Sequence, residues 1–526
     1  MQKSKLIVLF IFIGVIYAYC APFFGGSFTT INTFDKNKFT TINFFSFYID
    51  NKFNDNVRFF SRVTLGEEYY ASYSGGNDLT NLTLFPSIDL LFIEFKRSSS
   101  NVNGFLKSVT STGENFDAFN FKAGRIFLKE GTGTVVNMKG DGLDTYFSVG
   151  NFRFRAYGIT NSFDYTPIFD FNSGGNTPTF TNWDRKRLPS LYLRNIENNV
   201  DGFISDPEKQ EYNFFIDPNL SDDYTSFEAA RLNKMRYGAS LYGRIFTGFS
   251  FELHEIAYQN FGLYLTANVD LIPRDYIVTY PSLLSQKDNT SGGRYTSFYF
   301  NFNVNGRIIK NLYYNFDGIY ETGFNSTIFD DGTKVYYSDR LINTFYISHK
   351  IFYLIDSFIN PRIELGFVYA HGDEDAVYTN DTVQNKAGQD NGFRSICRGS
   401  IGYAADIQTT NIVAINLSGS IKPLNSLKKG TFSRFYIKND IIFILRPVIK
   451  GATFYKEKEE YTESNSKSSS YDKVYLGTEA DMDIIYKVFS DFNIELQGGI
   501  FIPNSLIYDG SSSVFWKVGL GVSVSF

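Results

Sequence analysis

Apolar and polar residues alternate one by one along much of this chain. In the last thirteen residues, Val514, Trp516, Val518, Leu520, Val522, Val524 and Phe526 take every second place. Phe515, Lys517, Gly519, Gly521, Ser523 and Ser525 stand between them. A period of two sends successive side chains to opposite faces of a β-strand. Elsewhere, Phe261, Leu263, Leu265, Ala267, Val269 and Leu271 alternate with Tyr264, Thr266, Asn268 and Asp270. Phe298, Phe300, Phe302 and Val304 alternate with Tyr299, Asn301, Asn303 and Asn305. A sheet buried on both faces would show unbroken apolar runs instead. The pattern predicts an all-β chain of strands with one greasy and one polar face. Alternation alone does not say which face points inward, because a soluble sandwich alternates too.

The two ends resolve that ambiguity. Lys3 and Lys5 precede an apolar run from Leu6 to Ile16, broken only by Gly14. The run is too short to span a bilayer and has the form of a secretory signal peptide. Residues 1–20 are therefore read as a leader, cut after Ala18 or Cys20, with 21–526 as the mature chain. A lipoprotein reading would acylate Cys20, but Tyr19 is a poor residue before such a cysteine. The gapless apolar row ending in Phe526 resembles the closing strand of a bacterial outer-membrane barrel. That resemblance implies lipid outside the fold, and Trp516 and Phe526 as a signal to the barrel-assembly machinery.

Composition agrees. The chain has 526 residues with 56 Phe and 37 Tyr, an aromatic share suited to lipid-facing positions and interfacial girdles. Beyond the leader, no apolar run is long enough for a membrane helix. Only 13 prolines interrupt a chain meant to be mostly paired strand. Net charge is −5, or −7 once Lys3 and Lys5 leave with the leader, and no basic nucleic-acid motif is present. Cys20 and Cys397 are the only cysteines, so no intrachain disulfide framework is expected.

In outer-membrane barrels, short periplasmic turns alternate with longer external loops. Short turns are predicted at Asn51–Asp55, Gly150–Asn151, Thr247–Gly248, Asn305–Asn311, Thr409–Asn411, Lys438–Asp440 and Phe489–Asp491. Longer loops are predicted at 67–85, 128–142, 161–234, 272–293, 372–392 and 457–471. The parse gives about twenty strands, within a range of sixteen to twenty and an even number.

Residues 119–160 narrow the reading. A strand ends in Gly124-Arg125, a loop holds Gly131 and Gly133, and Asp141-Gly142-Leu143 opens the next strand before a tight Gly150-Asn151 turn. This stretch resembles the early hairpin of the alginate-export family of outer-membrane porins, whose barrels have eighteen strands. Ile126 stands where that family usually has Gln. The resemblance implies an up-and-down transmembrane β-barrel of about eighteen strands. It also implies a porin passing small polar solutes, with the solute itself undetermined.

Polar positions between lipid-facing residues should line the lumen. Arg58, Arg62, Arg153, Arg155, Arg236 and Arg244 come from the first half of the chain. Asp317, Glu321, Glu479, Asp481 and Asp483 come from the second. A basic wall facing an acidic wall would orient polar solutes and tune ion selectivity. Alternatively, these charges pair across strands. The long loop 161–234 holds a short helical pattern from Ser226 and is expected to enter the barrel mouth. His371, Asp373, Glu374, Asp375 and Asp381 are oxygen-rich, but their spacing fits no calcium loop. Histidine occurs only at His254, His349 and His371, and no catalytic motif is present, so neither an enzyme nor a cofactor is expected. The expectation is a monomeric or trimeric porin in the outer membrane. The alternatives are a barrel that only displays adhesive or antigenic loops and, more remotely, a barrel hydrolase.

Overall fold

In the computed structural model, the alternating segments pair with their neighbours in sequence, and the last pairs with the first. The structure describes residues 23–35, 38–72, 79–98, 117–160, 244–270, 294–330, 335–374, 388–395, 400–405, 407–425, 434–449, 451, 453–455, 458–461, 474–488, 491–504 and 514–526. The first six strands are β1 (Phe23–Asp35), β2 (Lys38–Asn54), β3 (Val57–Ser72), β4 (Leu79–Ser98), β5 (Asp117–Lys129) and β6 (Asn137–Val149). Next come β7 (Phe152–Thr160), β8 (Arg244–Ile256), β9 (Gln259–Asp270), β10 (Arg294–Ile309), β11 (Leu312–Asp330) and β12 (Val335–Leu354). The last six are β13 (Arg362–Ala370), β14 (Ile412–Ile421), β15 (Phe435–Leu445), β16 (Tyr475–Lys487), β17 (Phe492–Pro503) and β18 (Phe515–Ser525).

Every neighbouring pair in this ring is antiparallel, and β1 closes it against β18 from Ser27↔Ser525 to Asp35↔Lys517. The result is a closed eighteen-stranded up-and-down barrel with no helix among the described residues. Phe526 finishes the seam. Its N–H donates to the Gly26 carbonyl, and the Gly26 N–H donates to the Phe526 carbonyl, at 3.0 and 2.9 Å. Closure leaves no free edge, which hydrocarbon surroundings demand.

The faces are inverted relative to a soluble protein. On β10, Phe298, Phe300 and Phe302 are 40–47% exposed, while Tyr299, Asn301 and Asn303 between them are 1–5% exposed. Large apolar side chains stand outward on strand after strand, among them Leu263, Phe324, Leu365, Leu417, Ile500 and Trp516. Soluble monomers rarely expose apolar patches beyond a few hundred Å². A continuous outward belt is the surface of a chain solvated by lipid. The protein is an outer-membrane β-barrel.

Several turn assignments change. The turn at Gly150–Asn151 falls where the sequence placed it, whereas those expected over Asn51–Asp55 and Asn305–Asn311 tighten to Asp55–Asn56 and Lys310–Asn311, because β2 runs to Asn54 and β10 to Ile309. Thr247–Gly248, however, lies inside β8. Gly248 is there for space: a Cβ would lie 2.4 Å from the Tyr157 hydroxyl. The turn comes later, at Ala257 and Tyr258, both at positive φ. Lys438–Asp440 lies inside β15, and its polar pair faces the lumen with Lys438 Nζ 2.5 Å from Asp440. Thr409–Asn411 ends a long connection at the opposite rim. The loops expected at 67–85 and 128–142 shrink, because β3 reaches Ser72, β4 starts at Leu79, β5 reaches Lys129 and β6 starts at Asn137. The expected signal peptide with Cys20, Cys397, the expected loop 161–234 with Ser226, Arg236, the expected loop 272–293, Asp375 and Asp381 lie outside the described residues.

Candidate functional site

The barrel's inner face is not uniformly polar. Towards the rim away from the termini, Ile126, Leu128, Ile159, Phe246, Ile442, Ile444 and Phe501 point inward and are buried. They pack against Val135, Val136, Phe393, Ala405 and Ile407, which belong to three inter-strand segments folded into the lumen. The barrel thus has a second, internal apolar core, made from connections rather than from a plug domain.

The first segment, 130–136, joins β5 to β6. Gly131 and Gly133 take positive φ, and the Gly133 N–H closes a turn onto the Glu130 carbonyl at 2.7 Å. The segment reaches across the barrel. The Thr132 hydroxyl donates to Asp317 of β11 at 2.7 Å, and Gly131 lies over the Tyr264 ring of β9. Glu130 is 3% exposed and accepts hydrogen bonds from Tyr157 and Thr266, each at 3.0 Å. Burial pushes its carboxyl up to about 7, against those hydrogen bonds and Arg155, which favour the ionised form.

The second segment, 388–395, pairs Gln389–Asp390 parallel to Leu341–Ile342 of β12 and then contacts inward side chains of β10–β12. Arg394 pairs with Asp390, its N–H donates to Glu321 at 3.0 Å, and its carbonyl accepts the Tyr299 hydroxyl at 2.8 Å. Burial opposes the Arg394 charge, but Asp390 beside it holds the guanidinium above its ordinary range. Phe393 stacks on Tyr346 with ring centroids 5.1 Å apart. The Ser395 hydroxyl donates to the Thr134 carbonyl, so the first two segments touch. His371 and Asp373 also serve this segment. A ring nitrogen of His371 lies 2.8 Å from the Asn391 carbonyl, and Asp373 accepts the Asn391 N–H at 3.2 Å. Among the described residues no cluster of metal-ligating side chains forms.

The third segment, 400–405 and 407–411, rests on β16 and β18. The Ala404 and Ala405 N–H groups donate to the Glu479 carboxylate at 2.5 and 3.2 Å, and the Tyr403 N–H donates to Asp481 at 3.2 Å. The Lys517 ammonium lies 4.2 Å from the centre of the Tyr403 ring. Gly402 sits at φ +81°, where any Cβ would meet Glu479.

The structure therefore gives the sequence-selected carboxylates specific partners. Asp317, Glu321, Glu479 and Asp481 each accept from an inserted segment, while Asp483 faces Lys438 in the β15–β16 register. Arg153 and Arg155 lie across the ring from Glu479 and Asp481, β7 being nine places from β16, while β3 with Arg58 and Arg62 is five places from it. They too have carboxylate partners. Arg155 forks onto Asp144 at 2.7 and 3.0 Å, Arg153 lies 3.6 Å from Glu252, and Arg58 forks onto Asp50 at 2.7 Å by both nitrogens. Arg62 shares the inward face of β3 with Arg58. Arg244 opens β8. Sequence reasoning missed the inserted backbones themselves. The available signal was composition: Gly131-Thr132-Gly133-Thr134-Val135-Val136 is too small and apolar for a solvated surface loop.

Burial is uneven along the lumen. Many inward side chains of β10–β12, such as Tyr299, Asp317, Asn325 and Thr344, are almost wholly covered, as are Glu94 and Asn120 on β4 and β5. Towards the rim that holds the termini, Arg58 and Lys122 are each 31%, Lys96 36% and Lys350 51% exposed.

Comparison with solved structures finds outer-membrane channels. Pseudomonas aeruginosa OccK7 (OpdD) aligns over 96% of this chain and 98% of its own, at 9% identity and a TM-score of 0.48. Acinetobacter baumannii OccAB3 aligns over 96% and 99%, at 7% identity and 0.46. Pseudomonas aeruginosa OccK2 (OpdF), solved in complex with glucuronate, aligns over 96% and 98%, at 8% identity and 0.43. Comparison with curated protein sequences finds no match. The profile of the alginate export family matches residues 244–508, beyond the 119–160 hairpin that first suggested it. With half of its length matched and an eighteen-stranded barrel formed, this chain belongs to the alginate export family.

Proposed function

We propose that the protein is a porin through which small polar or charged solutes diffuse passively, narrowed by the three inserted segments. The observation that supports this reading most directly is the partial exposure of inward charged side chains on β2–β5. A barrel filled by its loops and used only for display would cover those charged side chains. The first segment springs from β5 and β6 and is held on β7, β9 and β11, and the other two rest on β10–β18, so the open route runs off-centre, along β2–β4. Arg58 and Arg62 would line it, and Arg153 and Arg155 on β7 would face the lumen beside it. Partial neutralisation by Asp50, Asp144 and Glu252 predicts weak ion selectivity rather than a strong transverse field. The membrane environment is outer-membrane lipid, and assembly would use Trp516 and Phe526. The reading assigns no catalytic role.

Planar-bilayer recording of the purified protein tests this. Discrete conductance steps in KCl are expected. A folded barrel that never conducts would favour the loop-display alternative.

A further inference from the structure

We propose that the outer face of β1–β3, beside the closing seam, is a docking surface for a second copy of this chain. The inference does not depend on whether the barrel conducts. Two rows of polar side chains cross the lipid-facing side of these strands, where alternation calls for apolar ones. Thr30, Asn43 and Glu67 lie opposite one another in register and form the row nearer the termini. Asn32, Thr41 and Tyr69 form the next. The Thr41 hydroxyl donates to the Asn32 side-chain carbonyl at 2.9 Å, and the Asn43 amide donates to Glu67 at 3.3 Å.

Apolar rows bracket this patch. On the side of the termini, Phe28 and Phe45 meet with ring centroids 4.7 Å apart, and Phe45, Phe47 and Leu65 are 40–59% exposed. On the other side, Phe34 and Phe39 meet at 4.6 Å. In the β1–β18 register Asn32 faces Leu520, and the outward row of β18 stays apolar beyond it through Val518 and Trp516. The polar rows therefore lie within the hydrocarbon belt. Locally the faces are exchanged, because Ile31, Ile42 and Phe44 take the lumen side. A polar or ionisable side chain turned to lipid is costly unless it is paired. Arg125 and Asp141, on the outer face of β5 and β6, answer one another at 3.3 Å. Glu67 has no cation among the described residues, and its one hydrogen bond there comes from Asn43.

The patch is self-complementary. Thr30, Thr41 and the two asparagine amides can donate, and Glu67 and the asparagine carbonyls can accept. A two-fold axis through Asn43, along the membrane normal, sets the Thr30 edge of each copy against the Glu67 edge of the other. Spare acceptor sites on each carboxylate then receive donors from the partner, as polar side chains do between chains in a bilayer.

The test uses the full-length protein in liposomes. N43C in a C20S/C397S background should give a disulfide-linked dimer on oxidation. F300C in the same background, eight strands around the ring, should not. Energy transfer between donor- and acceptor-labelled copies, followed as lipid is added, should show self-association of the wild type. N43L/E67L should weaken it about tenfold while leaving the barrel folded, since both changes make the face more apolar. Equal self-association of wild type and variant would overturn the proposal. So would a wild type that stays monomeric at every lipid ratio, even with lipopolysaccharide bound. If the variant fails to fold, the disulfide test stands alone, and an N43C dimer that is absent, or no more abundant than that of F300C, overturns the docking surface.

Discussion

The Thr132 hydroxyl donates to the Asp317 carboxylate at 2.7 Å, tying the β5–β6 connection to a strand five places beyond β6. This one bond carries a chain segment across the lumen. A hydrogen bond to a charged acceptor contributes about 1.5–3 kcal/mol. T132A should therefore loosen the segment, raise mean single-channel conductance and lower the unfolding midpoint slightly. Conductance traces identical to wild type would show that the segment does not constrict.

Glu130 gives the same segment a pH dependence. Its folded pKa of about 7 lies above the ordinary 4.5 because burial disfavours its charge. The folded state therefore holds the proton longer than the unfolded chain. The contribution of this group is constant below about 4.5, stability falls between 4.5 and 7, and the loss is complete above 7. The penalty at alkaline pH is about 3 kcal/mol. E130Q should stabilise the barrel at pH 8 and change little at pH 4. Denaturant unfolding at the two pH values measures this, and an equal gain at both would contradict it.

Arg155 and Asp144 make a forked, mostly buried pair on β7 and β6. Removing one partner strands a charge, at a cost of about 3–5 kcal/mol. R155Q should be clearly destabilised, and R155Q/D144N should recover much of the loss. A double-mutant cycle of urea midpoints with no coupling would contradict the pairing.

Gly124 sits at φ +126°, and a Cβ there would approach the Leu91 carbonyl to 2.2 Å. Its register partner is Gly142, and Arg125 faces Asp141. G124A should destabilise the barrel by about 2 kcal/mol and lower the yield of heat-modifiable, folded protein on gels. Wild-type yield would show that the β4–β5 approach tolerates a methyl group.

How much of this was legible in the sequence follows from what alternation encodes. A period of two fixes which residues share a face, so Phe298, Phe300 and Phe302 were separable from Tyr299, Asn301 and Asn303. The ends of the chain then set which face meets lipid. Likewise Glu479, Asp481, Asp317 and Glu321 were readable as inward. Their partners were not, because those partners are backbone N–H groups and hydroxyls on connections distant in sequence. The 261 positions between Thr134 and Ser395 leave no local trace of their contact. Thr247-Gly248 was misread as a turn because a glycine required by Tyr157 looks, in one dimension, like a glycine required by φ. The inward Ile126, Leu128 and Ile444 looked anomalous in a polar lumen until the inserted segments supplied an apolar partner.

Liposome swelling with uncharged sugars of increasing size tests the central claim most directly. Proteoliposomes should swell rapidly in the smallest solutes, with rates falling steeply as size increases and rising again for larger solutes when T132A loosens the crossing segment. Correctly folded protein that admits no solute of any size would contradict an open route along β2–β4.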